Sequence, residues 1–299
     1  MSTEINKAFV QQFSDNLIHL LNQEGSMLKD RVRVKKTVGK YDHFDRIGRG
    51  NVSLKTGRHA DVTYTDTPHS RRRVILDDYF WADLIDEEDE VRMLADPKSD
   101  YALAAAYDLG IKIDEIIISA LNGNALSIDS SDASSTVALP TSQVVDEDFT
   151  TANSNLIVEK LIEARRILMG HSGSIRDKAT LVLNADALAS LLNETEIQSA
   201  DYNTIKALVR GEVDTFMGFK FVTVKDGILP GTADGTDTAP VRCFAFLERS
   251  VGLAMGAEPK VRMDKLPSKG YATQVYANMT LGATRIEEEG VVAIECVQS

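Results

Sequence analysis

The chain has 299 residues, 43% of them hydrophobic and 26% charged, which is enough for a full core and for two subdomains. No stretch approaches the roughly eighteen apolar residues of a membrane span, and Met1-Ser-Thr-Glu lacks a basic segment followed by an apolar run, which argues against secretion and membrane insertion. The formal charge of −12 is segregated: residues 29–75 hold 13 Lys and Arg against 5 Asp and Glu, a local +8, which leaves −20 on the rest.

Segregation of that size calls for a partner, either a polyanion held by the basic part or a second copy presenting its acidic part. In chain order, residues 5–23 predict a modest helix, because Phe9, Phe13, Leu17, Leu20 and Leu21 keep helical spacing and Gly25 closes it. Residues 29–76 predict long antiparallel arms with basic flanks: residues 31–38 and 60–65 alternate as strands do, and Gly39, Gly48, Gly50 and Gly57 punctuate the space between. Their apolar content is too thin to fold alone, so this ribbon must lie on another surface or move freely; an ordinary solvated hairpin is the bland alternative. After Arg71-Arg72-Arg73 the sequence turns sharply acidic through residue 96 and carries the only tryptophan, Trp81.

Residues 96–124 hold the most complete set of helix signals. Asp96 can serve as N-cap and Pro97 fits the first helical position, while Asn122 and Gly123 stop the run. Ala102, Ala105, Leu109, Ile113, Ile116 and Ala120 recur every three or four residues, and Ala106, Ile117 and Leu121 widen that face. Asp108, Lys112, Glu115, Ser119 and Asn122 form the polar stripe, with Asp108 placed to pair with Lys112. At about 1.5 Å per residue this helix is about 40 Å long, which suits a scaffold element.

Residues 125–151 read as loops and short strands. Asn153 or Ser154 caps a helix through Met169, with Ile157, Leu161, Ala164 and Leu168 inward and Gly170 as its stop. Residues 179–183 form a short buried strand, residues 185–192 a helix around Leu188, Leu191 and Leu192, and residues 204–209 a further turn. Residues 217–224 and 241–247 are strands, and residues 260–263, 271–281 and 290–297 predict one long antiparallel sheet with bends at Gly282 and Gly290.

Catalytic chemistry finds no foothold. His19, His43, His59, His69 and His171 are scattered, with no HExxH and no spacing to a cysteine that would hold a metal, so neither a metal nor a cofactor is expected. Cys243 and Cys296 each sit in an apolar run and read as buried free thiols, as a reducing cytoplasm allows. Carboxylates crowd residues 86–90, but the run lacks the glycine and final glutamate of a calcium loop and reads as a wet or partner-facing edge. Gly48-Arg49-Gly50 is not a phosphate loop, since no lysine-bearing pattern or helix follows it. The ribbon also lacks the interleaved aromatics of single-strand binders.

The order of parts resembles a family: the major capsid proteins of tailed double-stranded-DNA bacteriophages, of the Hong Kong 97-type fold. Residues 71–123 look like the approach to that family's spine helix and the helix itself, followed in order by residues 156–169, 179–192, 217–224 and the closing strands. The resemblance implies an α+β fold with an N-terminal arm (1–28), a basic extended loop (29–80), a peripheral domain (81–151, spine helix 96–122), an axial domain (152–257) and C-terminal strands that complete the peripheral domain (258–299). It implies a structural protein, not an enzyme, that forms hexamers and pentamers of an icosahedral or prolate shell around phage DNA. Assembly is expected in the host bacterial cytoplasm, with scaffolding, portal and decoration proteins as further partners and without sequence-specific DNA binding or membrane contact. Since no long acidic prefix precedes Ile5, separate scaffolding or none is expected. The charge segregation then names contact candidates: Arg46, Arg49, Lys55, Arg58, Arg71, Arg72 and Arg73 on one subunit, opposite Asp77, Asp78, Asp83, Asp86, Glu87, Glu88, Asp89 and Glu90 on the next. Encapsulin-like cellular shells share the fold and are the runner-up; a nucleic-acid-binding protein using the ribbon is the alternative from another class.

Overall fold

The computed structural model describes residues 25–48, 50–55, 57–58, 61–62, 64–86, 98–128, 133–151, 153–172, 179–194, 215–231 and 240–297. Strands β1 (Arg33–Lys36), β2 (Tyr41–Ile47), β3 (His69–Ile75) and β4 (Asp77–Ile85) precede the long helix α1 (Lys98–Asn122). Short strands β5 (Ala125–Ile128), β6 (Ser134–Val137) and β7 (Val144–Val145) lead to α2 (Val158–Ser172), β8 (Ala179–Leu183) and α3 (Ala185–Asn193). Then come β9 (Thr215–Phe216), β10 (Phe219–Thr223), β11 (Val241–Phe246), β12 (Val251–Leu266), β13 (Ala272–Arg285) and β14 (Val291–Cys296). The expected first helix at 5–23 and the turn at 204–209 lie outside the described residues.

These strands make three sheets, ordered β1-β12-β13-β4, β7-β14-β11-β8-β10-β9 and β2-β3-β5-β6. Helix α1 lies against β13 and β12, and Ala105, Leu109, Ile113, Ile117 and Leu121 are buried along that face as periodicity requires. Ala106 is exposed instead, and Lys112 pairs with Glu115 at 2.7 Å, not with Asp108. The cap at Asp96 and Pro97 lies outside the described residues. At the other end of α1, Arg285 on β13 is buried and donates from Nη1 to the carbonyls of Leu121 and Gly123, each at 2.8 Å, so a cation closes the negative end of the helix. Among the described residues no helix is long and apolar enough to cross a membrane.

Several boundaries move, for local reasons. Helix α2 starts at Val158, whose amide donates to Glu194 Oε2 at 2.9 Å, because Asn153 sits at φ 50° outside helical space; at its far end it runs past Gly170. Met217 and Gly218 form no strand: both have positive φ, the backbone of a two-residue hairpin turn joining β9 to β10. The closing strands do not share one sheet. The β12–β13 pair extends one sheet, whereas β14 joins β11 and β7 in another. Gly282 lies inside β13, where a Cβ would run into the Ile75 carbonyl, so it permits a close crossing of chains and makes no bend. A single strand, β12, crosses residue 257; it is buried from Val251 to Met255, shifts register after Met255, and is exposed along most of its distal half.

Candidate subunit-contact site

The root of the basic ribbon is a real hairpin. β2 and β3 pair from Tyr41↔Ile75 to Ile47↔His69, and β3 continues through β5 into its sheet. The predicted second limb at 60–65 is not a strand where it is described; the returning strand is 69–75, the segment carrying the three arginines. Its alternation buries Arg72 and Val74 and leaves Arg71 and Arg73 toward the other face. Beyond Gly48, whose amide donates to the Pro68 carbonyl at 2.8 Å, the limbs stay close enough for Thr65 Oγ1 to donate to the Asn51 carbonyl at 3.2 Å.

Three of the arginines at this root, Arg46, Arg71 and Arg72, have carboxylate partners within the chain, whereas the buried Nε of Arg73 has no hydrogen-bond partner among the described residues. Arg72, only 4% exposed, donates to Glu288 Oε1 at 2.7 Å, and Arg46 donates to Glu288 Oε2 at 3.0 Å. Arg71 reaches Asp45 at 2.9 Å, an exposed pair of little energetic weight, and Arg73 lies 5.2 Å from the centre of the Tyr41 ring. Nearby, Asp42 accepts from Lys35 at 2.7 Å and from Thr37 Oγ1; burial alone would raise its carboxyl pKa, but these bonds and the Lys35 charge hold it below the usual range.

The distal ribbon is a different surface. Lys55 and Arg58 are exposed and, among the described residues, pair with no carboxylate; Arg49 lies outside the described residues. Val52, Leu54 and Val62 are exposed around them, and Tyr64 keeps 94% of its free surface. That is a run of apolar side chains with no cover from the described residues.

The acidic side is organised by β4, which the charge run at 83–90 had hidden. Tyr79 and Trp81 turn toward the core shared with α1 and Ile85 is buried, while Asp78, Phe80, Ala82 and Leu84 turn outward. Burial and the neighbouring Asp77 push the Tyr79 hydroxyl pKa up. Asp77 is exposed, Asp78 accepts from Thr280 Oγ1 at 2.6 Å, and Asp83 and Asp86 are half-buried. Glu87, Glu88, Asp89 and Glu90 lie outside the described residues. Among the described residues no ion pair joins the ribbon's cations to this edge, so the two surfaces are complementary in charge but apart within one chain.

Sequence reasoning missed the groups that pin the ribbon and the arm to the body. Glu288 sits in a Glu287-Glu288-Glu289 run that reads as solvated, and nothing local marks its two arginine partners. Asp114 did carry a signal, an acid on the apolar face of α1. It is wholly buried and accepts from Ser26 Oγ at 2.5 Å and from the amides of Met27 and Leu28 at 3.0 and 3.1 Å.

Solved structures place this architecture. The capsid of Ralstonia phage GP4 superposes with a TM-score of 0.75 at 12% identity, over 97% of this chain and 95% of that one. The capsid of cyanophage P-SCSP1u gives 0.70 at 15% identity over 98% and 94%, and that of cyanophage Pam1 gives 0.69 at 14% over 96% of each. A comparison with curated proteins returns no match. Helix α1 and the three sheets are therefore arranged as in those capsids, in the Hong Kong 97-type fold. The family described as phage capsid protein matches residues 5–298, and the chain belongs to it. It is a structural protein, a major capsid protein of the virion, and the cellular-shell alternative is not favoured.

Proposed function

We propose that this subunit closes hexamers and pentamers of an icosahedral or prolate shell around double-stranded phage DNA by laying its distal ribbon on the acidic rim of a neighbouring copy. One observation carries the reading: the distal ribbon exposes Val52, Leu54, Val62 and Tyr64 beside Lys55 and Arg58, a surface that none of the described residues covers and that a neighbouring copy would cover. Arg49, Lys55 and Arg58 then face Asp77, Asp78, Asp83 and Asp86, with Glu87, Glu88, Asp89 and Glu90 extending the rim. Each such pair is weak alone, but repetition around a closed shell multiplies it. The net charge of −12 favours a lining that does not adhere to packaged DNA.

In this reading residues 81–151 with 258–299 are the peripheral domain, and 152–257 the axial domain that meets its copies at the shell's symmetry axes. Assembly takes place in the host cytoplasm with scaffolding and portal proteins, and decoration proteins bind the finished surface. Negative-stain microscopy of the purified protein tests this directly: closed particles are expected, and deletion of residues 50–65 leaves a folded subunit that forms none. Tight, steeply salt-dependent DNA binding by the isolated subunit, with no particles, overturns it.

A further inference from the structure

β4 ends its sheet. It pairs with β13 over all nine of its residues, Asp77↔Leu281 to Ile85↔Thr273, and among the described residues nothing pairs with its other side. A nine-residue edge with alternate backbone groups facing outward is a template for a further strand, and proteins normally blunt such edges with lysine, proline, a bulge or a covering element. None of the first three occurs in β4, whose pairing runs without a register shift. Its protection is of another kind. Asp77, Asp78 and Asp83, followed by Asp86, make pairing of β4 with β4 of a second copy set carboxylate near carboxylate, which repels, while leaving the edge open to a cationic strand.

The chain holds such a strand. Residues 50–55 alternate Val52 and Leu54 with Ser53 and Lys55, are exposed throughout, and lie next to Arg49 and Arg58. We infer that residues 50–55 of one copy add as a fifth strand to the open edge of β4 in a neighbouring copy, so that the subunit contact is a backbone ladder as well as a charge match. The alternation supports it. With Val52 and Leu54 on the outward face they extend the apolar strip of Phe80, Ala82 and Leu84, where Phe80 is 72% exposed and stacks on Tyr276 at 6.3 Å between ring centres. Lys55 then falls on the face of Asp83. This inference rests on the proposed ribbon contact and specifies its geometry.

The test uses full-length particles. Leu54→Cys and Ala82→Cys are combined in one chain, and each is also made alone; Cys243 and Cys296 are wholly buried and stay in place. Mild oxidation of particles of the double variant is expected to move most chains from the 32.8 kDa band into a reducible ladder on a denaturing gel, and neither single variant does so. Particles without a ladder, or a dimer from Ala82→Cys alone, overturn the strand addition. A proline scan over residues 78–84 supplies the second reading. Prolines whose missing amide faced the open edge are expected to leave the far-ultraviolet circular dichroism of the subunit unchanged and to abolish particles; if every folded proline variant assembles, the ladder is not there. Charge exchange separates this failure from failure of the contact itself. If Lys55→Glu with Arg58→Glu blocks assembly and Asp77→Lys with Asp83→Lys restores it while no ladder forms, the contact stands and the added strand falls.

Discussion

Arg72 and Glu288, 216 positions apart in sequence, meet at 2.7 Å inside the protein, and Arg46 takes the other carboxylate oxygen at 3.0 Å. One buried carboxylate thereby ties both strands of the ribbon's root to the turn before β14. Removing one partner of a buried pair leaves an uncompensated charge, which typically costs about 3–5 kcal/mol. Glu288→Ala, which strands two arginines, is expected to lower stability by that order in urea unfolding of the unassembled subunit. Arg46→Ala, at the more exposed partner, is expected to cost about 1 kcal/mol. Equal losses for the two would show that Glu288 does not anchor the root.

Asp114 and Gly110 hold the other attachment, one helical turn apart on α1. A Cβ at Gly110 would stand 2.6 Å from the Gly25 backbone, so the arm crosses the helix in contact, and Asp114 gathers the Ser26 hydroxyl and the Met27 and Leu28 amides. Hydrogen bonds to charged groups are each worth about 1.5–3 kcal/mol, and overpacking against rigid backbone costs about 1–3 kcal/mol. Asp114→Ala and Gly110→Ala are both expected to loosen residues 26–29 selectively. Hydrogen exchange should show the Met27 and Leu28 amides losing protection while the β11–β14 ladder keeps it; uniform loss would mean general destabilisation instead.

The elements legible in the sequence are those whose signals are local. Helix α1 shows in its spacing, β8 in a five-residue run that is apolar except for Thr180 and buried throughout, and α3 in its periodicity, with Asn184 accepting from the Ala187 amide as its cap. β3 was illegible because Arg72 reads as solvated until Glu288 is found beside it. β4 was masked by the acidic run around it, and the inner half of β12, Gly252-Leu253-Ala254-Met255-Gly256, has little strand propensity; its partners on β1 and β13 impose the conformation. Among the contact candidates, charge alone does not separate an exposed cation such as Lys55 or Arg58 from an arginine held by a distant carboxylate, as Arg46 and Arg72 are by Glu288.

Cys243 and Cys296 come together on the antiparallel pair β11–β14, where Val241 faces Cys296 and Cys243 faces Ile294. The hydrogen bond shared with Cys296, together with burial, pushes the Cys243 thiol well above its usual pKa of 9.0. Native protein at pH 8 is expected to resist thiol-directed alkylation at Cys243, and denaturant to expose both sites, with mass spectrometry counting the adducts. Rapid labelling of Cys243 in the folded subunit would show that this sheet opens.

Lys160 supplies the pH dependence. Its side chain is wholly buried and its ammonium donates to the Ser154 carbonyl at 2.7 Å and to the Glu295 carbonyl at 2.8 Å, joining α2 to the end of β14. Burial pulls its pKa below the ordinary lysine value of 10.5, and the acidic neighbours Asp146 and Glu147 only partly oppose this. Between the folded and the unfolded pKa the unfolded chain binds more protons, so stability gains from this residue as pH rises and the gain is complete above 10.5. The penalty is therefore largest at low pH. Lys160→Met removes the titrating group and leaves two carbonyls without their donor, a loss that does not vary with pH. The stability of the wild type relative to Lys160→Met is expected to rise as pH approaches 10.5, read from paired urea titrations; a difference that stays flat or falls would place the ammonium in a less desolvated site.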